Sequence, residues 1–302
     1  MRCDIAPEYT YFGLRSYLPT GHDGKHAELG AEPTLAEYVA NLVAVFRDVR
    51  RVLRDDGTLW LNLGDSYASN PASGGERRSR PQDKNPGVYQ RTPTSTWSRP
   101  DGLKPKDLMM VPARVALALQ DDGWYLRSKI VWAKPNPMPE SVTDRPTNSY
   151  EEVFLLTKRA RYYYDADAIA EPATEIARRP NYATQRDGPT YEAPGQSPQT
   201  FGPKAKMIQP TRNARNVWTI PTVGFPAAHF ATFPPELPRR CILAGSRVGD
   251  TVLDPFSGAG TTGLVADRLG RNYIGVELNP EYVALSEARI RNDAPLFAEV
   301  AS

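Results

Sequence analysis

At 302 residues the chain can bury a sizeable core as one large domain, or as one domain with a sub-domain, and its 40% hydrophobic and 24% charged content suits a soluble protein. No run of about 18 apolar residues exists to span a bilayer and no apolar stretch follows the early arginine as a secretory signal, so the expected place is the cytoplasm, without a membrane partner. A net charge of +2 neither demands nor excludes nucleic acid, while the distant Cys3 and Cys241 and the scattered His22, His26 and His229 support neither a disulfide framework nor a metal site.

Taken in chain order, Met1 to Tyr17 carry a few apolar positions and then an aromatic, proline-bearing stretch, which reads as a strand end running into a loop. Thr34 and Glu37 make a capping box, and Leu35, Tyr38, Val39, Leu42, Phe46, Val49 and Leu53 follow the 3.6-residue period, so a helix is predicted. Asp55-Asp56-Gly57 ends it. Thr58 to Leu63 is nearly all apolar, as a parallel strand covered on both faces should be. Pro71 to Leu103 lacks any apolar period and is full of Pro, Gly, Ser and Arg, the composition of a long mobile loop. A helix is predicted over Lys106 to Gln120, then alternation over Trp124 to Trp132, a proline-broken loop from Trp132 to Pro139, and a buried strand at Glu152 to Thr157. Arg161 to Ala214 is a second irregular block, fitting a solvated linker as well as a binding surface. Pro234 to Leu243 has helical potential.

The most informative stretch is Thr251 to Pro280. Thr251-Val252-Leu253 runs into Asp254-Pro255-Phe256, a glycine turn at Ser257-Gly258-Ala259-Gly260, a helix from Thr261 to Leu269, and Tyr273 to Val276 ending at Glu277. That is strand, loop, helix, strand. Small residues let a backbone approach a ligand at the helix N-terminus, and an acid 17 residues past Gly260 stands where a ribose hydroxyl pair is held. A nucleoside-containing cofactor follows. Gly258, Gly260 and Gly263 also satisfy G-x-G-x-x-G, the pattern of an ordinary dinucleotide site, but only 25 residues follow Glu277, too few for a second mononucleotide-binding half. One helix from Glu281 to about Arg291 fits there.

Asp254-Pro255-Phe256-Ser257-Gly258-Ala259-Gly260-Thr261-Thr262 resembles the cofactor loop of the DNA amino-methyltransferases, in the permuted group whose catalytic segment comes first and whose S-adenosylmethionine loop comes last. Gly275-Val276-Glu277-Leu278-Asn279-Pro280 is similar to that family's ribose-binding strand end. His229 to Leu237, with Thr232-Phe233-Pro234, resembles the segment that closes over the methionine portion. Arg51-Val52-Leu53, Asp56-Gly57-Thr58, Trp132 to Asn136 and Asn216 to Pro221 also match. The resemblance implies an α/β, Rossmann-like S-adenosylmethionine-dependent methyltransferase sheet with helices on both faces, plus irregular DNA-recognition insertions. It implies S-adenosylmethionine as cofactor, held by Thr232, Phe233, Pro234, Asp254, Pro255, Phe256, Gly258, Gly260, Thr261, Thr262 and Glu277. The acceptor would be the exocyclic amine of a DNA base, and Gly13-Leu14-Arg15 together with Trp132 to Pro139 resemble the serine-type branch, favouring cytosine N4 over adenine N6.

The family's catalytic segment reads Asp or Ser followed by Pro-Pro-Tyr, and no such segment stands here. Anchoring on Gly13 puts Glu8-Tyr9-Thr10-Tyr11 in its place; anchoring on proline and tyrosine puts Ala6-Pro7-Glu8-Tyr9 there. Tyr9 and Tyr11 are the candidates to stack on a base. The family usually has a strand and helix before this segment, so a shortened or displaced start and an unpaired sheet edge are expected. Two readings stay open: an enzyme with a divergent catalytic loop, and a degenerate homologue that still binds DNA or cofactor. The resemblance divides the chain into a catalytic half at 1–158, a target-recognition region at 159–215 and a cofactor-binding half at 216–302. In the middle region Arg178, Arg179, Lys204, Lys206, Arg212 and Arg215 are the expected contacts to double-stranded DNA. A cognate restriction endonuclease and nucleoid association are further expectations.

Overall fold

The computed structural model describes residues 3–6, by backbone alone, and 28–68, 103–173, 211–223 and 233–293. By chain contacts it divides into two compact units, Met1–Asp165 with Arg215–Ser302, and Ala166–Ala214.

The first unit is built on a seven-stranded sheet. In chain order its elements are β1 (Cys3–Ala6), α1 (Leu35–Val52), β2 (Thr58–Leu63), α2 (Val111–Asp121), β3 (Tyr125–Ala133) and β4 (Tyr150–Thr157). In the second unit, β5 (Glu171–Pro172) and β6 (Thr211–Arg212) form a short antiparallel pair. The first unit resumes with β7 (Val217–Thr219), α3 (Glu236–Gly245), β8 (Thr251–Asp254), α4 (Thr261–Arg268), β9 (Asn272–Gly275) and α5 (Pro280–Asp293). The strands lie in the order β7-β3-β4-β2-β1-β8-β9. β4 runs against both its neighbours, and the other described pairings in this sheet are parallel.

The capping box does what the sequence predicts. Thr34 Oγ1 accepts the Glu37 N–H, Glu37 accepts the Thr34 N–H, and α1 starts at the next residue. Its stripe of Tyr38, Leu42, Phe46 and Val49 packs with Leu59, Leu61 and Leu63 of β2 and with Val111, Val115 and Leu119 of α2 in one buried core. Side chains alternate along a strand, so Trp60 and Asn62 face the other side, where Phe233, Leu237 and Cys241 meet them. Helices therefore cover both faces of β2. The expectation that β2 is a purely parallel strand is corrected: it is parallel to β1 and antiparallel to β4.

One further expectation changes. The helix predicted from Lys106 begins only at Val111, because Lys106 (φ 72°) and Met110 (φ 55°) are in the left-handed region and break the helical path. The start of α2 is capped from a distance: Asp65 Oδ1, just past the end of β2, accepts the Val111 N–H at 3.0 Å and the Ser66 N–H at 2.9 Å. Burial raises the Asp65 carboxyl above its ordinary pKa, with those N–H groups opposing the shift. The N-terminal strand itself is internal to the sheet. β1 lies inside the sheet, with Cys3 to Ala6 opposite Thr58 to Leu61 on one side and Cys3 and Asp4 opposite Val252 and Leu253 on the other.

This arrangement positions the site. From β1 the chain passes to β2 on one side, whereas β8 and β9 lie on the other, so the order reverses between β1 and β8. In an open α/β sheet ligands bind at the carboxyl ends of the strands beside such a switch point.

Candidate functional site

β8 delivers Asp254 to that point, and β9 runs beside it with Asp254 opposite Gly275. The backbone ladder continues past both strands: the Val276 N–H donates to Asp254 O at 2.8 Å and the Ser257 N–H to Val276 O at 2.9 Å. Between them the chain turns on Gly258 (φ 51°) and Gly260 (φ 73°). Gly260 is the N-cap of α4 and contributes no side chain, so the first N–H groups of this helix have no side-chain cap. A β-carbon at Gly260 would stand 2.1 Å from Ser286 Oγ, which makes glycine obligatory on two grounds.

Glu277 ties the turn to the strand. Its Oε2 accepts the Gly258 N–H and its Oε1 the Asn279 N–H, each at 2.8 Å. Each oxygen of an ionised carboxylate has capacity for a second donor. Asn279 Oδ1 then accepts the Glu281 N–H at 2.9 Å in the first turn of α5. Val276 and Leu278 are exposed on either side of the acid. An acid with acceptor capacity for ribose hydroxyls, apolar side chains open to a base, and a glycine turn beside an uncapped helix start together fit an adenosyl ligand.

Asp254 is the other carboxyl of the site. It is buried, and that burial pushes it up to about 7 against the opposing Thr262 hydroxyl and Phe256 N–H. The N–H of Phe256 bonds to Oδ1 at 3.0 Å; the buried Thr262 hydroxyl faces the same carboxyl without reaching good hydrogen-bond geometry.

The structure thus brings together Asp254, Pro255, Phe256, Gly258, Gly260, Thr261, Thr262 and Glu277. Phe233 and Pro234 are buried at the start of α3, where Phe233 lines a small cavity with Trp60, Asn62, Val153 and Leu237. Ala6 ends β1 opposite Leu61. Pro7, Glu8, Tyr9 and Tyr11, together with Thr232, lie outside the described residues, as do Arg178, Arg179, Lys204 and Lys206. Arg212 pairs with Glu171 across β5 and β6 at 3.1 Å, and Arg215 is exposed, its carbonyl accepting the Trp218 indole N–H at 2.9 Å.

Two residues of the site, Arg289 and Tyr273, escape the sequence reading. Arg289 reaches back from α5 to donate to Ala259 O at 3.1 Å and Thr261 Oγ1 at 2.9 Å, bracing the turn from outside. Nothing in the spacing of α5 marks it. Tyr273 OH and Ser257 Oγ are 2.8 Å apart, and a β-carbon at Gly275 would meet both groups. Here a signal did exist, because Tyr273 and Gly275 alternate onto one face of β9.

A family model described as DNA methylase, N6/N4 type, matches residues 10–288. The chain belongs to this DNA methylase family. It is 47% identical over 282 residues to the type II methyltransferase M.SmaI of Serratia marcescens, covering 93% of this chain and 81% of that protein. Over 292 residues it is 46% identical to M.XycI of Xanthomonas campestris pv. cyanopsidis, covering 96% and 81%. Among solved structures, the cytosine-N4-specific PvuII DNA methyltransferase matches with a TM-score of 0.59 at 19% identity, over all of this chain and 81% of that one. A DNA modification methylase of Thermus thermophilus, complexed with S-adenosyl-L-methionine, matches with a TM-score of 0.52 at 21% identity, over 99% and 90%. The α/β methyltransferase fold expected from the sequence is therefore the fold observed, and S-adenosylmethionine is the cofactor of this methylase.

Proposed function

We propose that this methylase transfers the methyl group to the exocyclic amine of a base in double-stranded DNA, at cytosine N4 in preference to adenine N6. The observation that carries the reading is the turn from Asp254 to Glu277 at the carboxyl ends of β8 and β9, beside the strand β1 that leads into the catalytic segment. Cytosine is supported by the likeness of Gly13-Leu14-Arg15 and Trp132 to Pro139 to the serine-type branch.

When bound, S-adenosylmethionine supplies a methyl group on a sulfonium, an electrophile that calls for no metal. Glu277 binds the ribose through its remaining lone pairs. Gly258, Gly260, Thr261 and Thr262 line the turn, Asp254 and Phe256 support it, and Thr232, Phe233 and Pro234 close over the methionine end. The amine of the base is a poor nucleophile, its lone pair delocalised into the ring, so it must be extracted from the duplex, stacked on an aromatic ring and held by acceptor oxygens. Tyr9 and Tyr11 provide the stacking. Glu8 provides an acceptor under one alignment of the segment; under the other Ala6 provides none. Arg178, Arg179, Lys204, Lys206, Arg212 and Arg215, within a target-recognition region at 159–215, contact the DNA. The enzyme works in the cytoplasm on the nucleoid, as the modification partner of a restriction endonuclease.

The absence of an intact Ser-Pro-Pro-Tyr or Asp-Pro-Pro-Tyr favours one rival, a homologue that binds cofactor or DNA without turnover. Incubation with radiolabelled S-adenosylmethionine and mixed-sequence DNA, followed by digestion to nucleosides, separates the two. Label in N4-methylcytosine is expected. Label in N6-methyladenine would reverse the choice of base, and no label with calorimetric cofactor binding intact would establish the rival.

A further inference from the structure

Residues 134–149 join β3 to β4 at the same rim of the sheet as the cofactor turn, since β3 and β8 both end there. The segment is fixed at many points. At its base the Lys134 N–H donates to Ser149 O at 2.8 Å, and the Lys134 ammonium pairs with Glu151 while lying 4.5 Å from the Trp132 ring centre. Asn136 and Thr222 share three hydrogen bonds: Asn136 Nδ2 donates to Thr222 O at 3.0 Å, the Thr222 N–H to Asn136 Oδ1 at 2.9 Å, and Thr222 Oγ1 to Asn136 O at 3.2 Å. Further along, the Arg145 guanidinium lies 3.9 Å over the Tyr67 ring and donates to Glu140 at 2.7 Å, and the Lys106 ammonium donates to Asp144 at 2.6 Å.

Each charged side chain of the segment, Lys134, Glu140, Asp144 and Arg145, is thereby paired within the protein. A loop meant to grip phosphates would display lysine or arginine. This one displays Met138, 85% exposed between Pro137 and Pro139, the most exposed large apolar side chain among the described residues. A lone apolar side chain on a surface calls for no explanation by itself. What distinguishes Met138 is its mounting: flanking prolines that restrict the backbone, anchors on both sides, and a place on the rim that carries the cofactor turn.

We propose that Met138 is a wedge, entering the base stack at the position vacated by the target base. The inference rests on the reading that a base is extracted from duplex DNA. Extraction costs unstacking energy, and architectural proteins that distort duplex DNA insert Phe, Leu, Ile, Met or Pro between base steps. An unbranched methionine suits a gap whose shape varies. The reach is reasonable: β4 is two strands from β1, so the base of the loop lies about 10 Å from the end of β1.

The test compares the intact protein with Met138→Ala and Met138→Leu on two duplexes carrying the site that wild type methylates, one with the target base paired and one with it mismatched. A mismatch lowers the cost of extraction, so it should stand in for the wedge. Met138→Ala is expected to lose roughly tenfold or more in kcat/KM on the paired duplex and to come within about threefold of wild type on the mismatched one, with Leu near wild type on both. Equal loss on both duplexes, or no loss on either, would overturn the proposal. So would a changed oligomeric state on size-exclusion chromatography without the difference between duplexes, which would make Met138 a protein contact. Failure of wild type on every DNA would remove the underlying reading instead, and is recognised in the wild-type arm alone.

Discussion

Glu277 accepts the backbone N–H of Gly258, 19 residues earlier in the chain, at 2.8 Å, so the acid that ends one strand sets the shape of the turn that ends its neighbour. Cofactor affinity and loop geometry should therefore fall together. Glu277→Ala is expected to weaken S-adenosylmethionine binding by roughly 10- to 100-fold by calorimetry, the equivalent of one or two charge-assisted hydrogen bonds. Glu277→Gln, which keeps one acceptor, should lose less. Equal affinity in all three proteins would show that the acid does not touch the ligand.

Gly260→Ala should destabilise the unliganded protein by roughly 1–3 kcal/mol, from the positive φ alone. The clash with Ser286 adds to that. Adding Ser286→Gly should recover only the part due to contact, leaving the backbone strain in thermal or denaturant unfolding. Complete recovery would mean that the backbone carries no strain.

Asp254 makes stability depend on pH. Its carboxyl titrates near 7 in the folded protein against 3.8 when exposed, so the folded state holds the proton more tightly. The associated stability is fully present below about pH 4 and is lost as pH rises through about 7. The unliganded protein should accordingly unfold more easily at pH 8 than at pH 5, by roughly 3 kcal/mol from this group. Asp65, whose carboxyl is also raised by burial, acts in the same direction. Asp254→Asn should flatten the dependence, and an unchanged slope in that variant would refute the assignment.

Replacing Arg178, Arg179, Lys204, Lys206, Arg212 and Arg215 with alanine should flatten the salt dependence of DNA affinity, by about 0.9 in the logarithmic slope for each phosphate contact removed. Arg212, already paired with Glu171, should contribute least. Filter binding or fluorescence anisotropy over a salt series would measure this, and an unchanged slope would move the DNA contacts elsewhere.

The legible parts of the fold are those whose signals are local. The capping box at Thr34 and the apolar stripe of α1 are visible in the sequence because their partners lie within a few residues, and the run from Thr251 to Glu277 because it is one continuous strand, turn, helix and strand. Where partners come from far away, legibility fails. The true start of α2 depends on Asp65, a residue well upstream at the end of β2. β7 is a three-residue strand recognisable only through its pairing with Val131 to Ala133. Of the cofactor turn, the glycines and Glu277 are apparent, but Arg289 is not, because its contacts arise from the packing of α5 onto the turn.

The central place of β1 also bears on biosynthesis. This strand is made well before its second neighbour: β2 ends at Leu63, whereas β8, which closes the other edge, begins only at Thr251. At about 5–20 residues per second, that edge waits some 10–40 s on the ribosome for its partner. Throughout that interval the edge of β1 that β8 covers lacks its partner, and an unpaired strand edge is open to mispairing or capture by chaperones. Because the same late strand brings the cofactor turn, a nascent chain cannot hold the methyl donor until the middle of its sheet has closed.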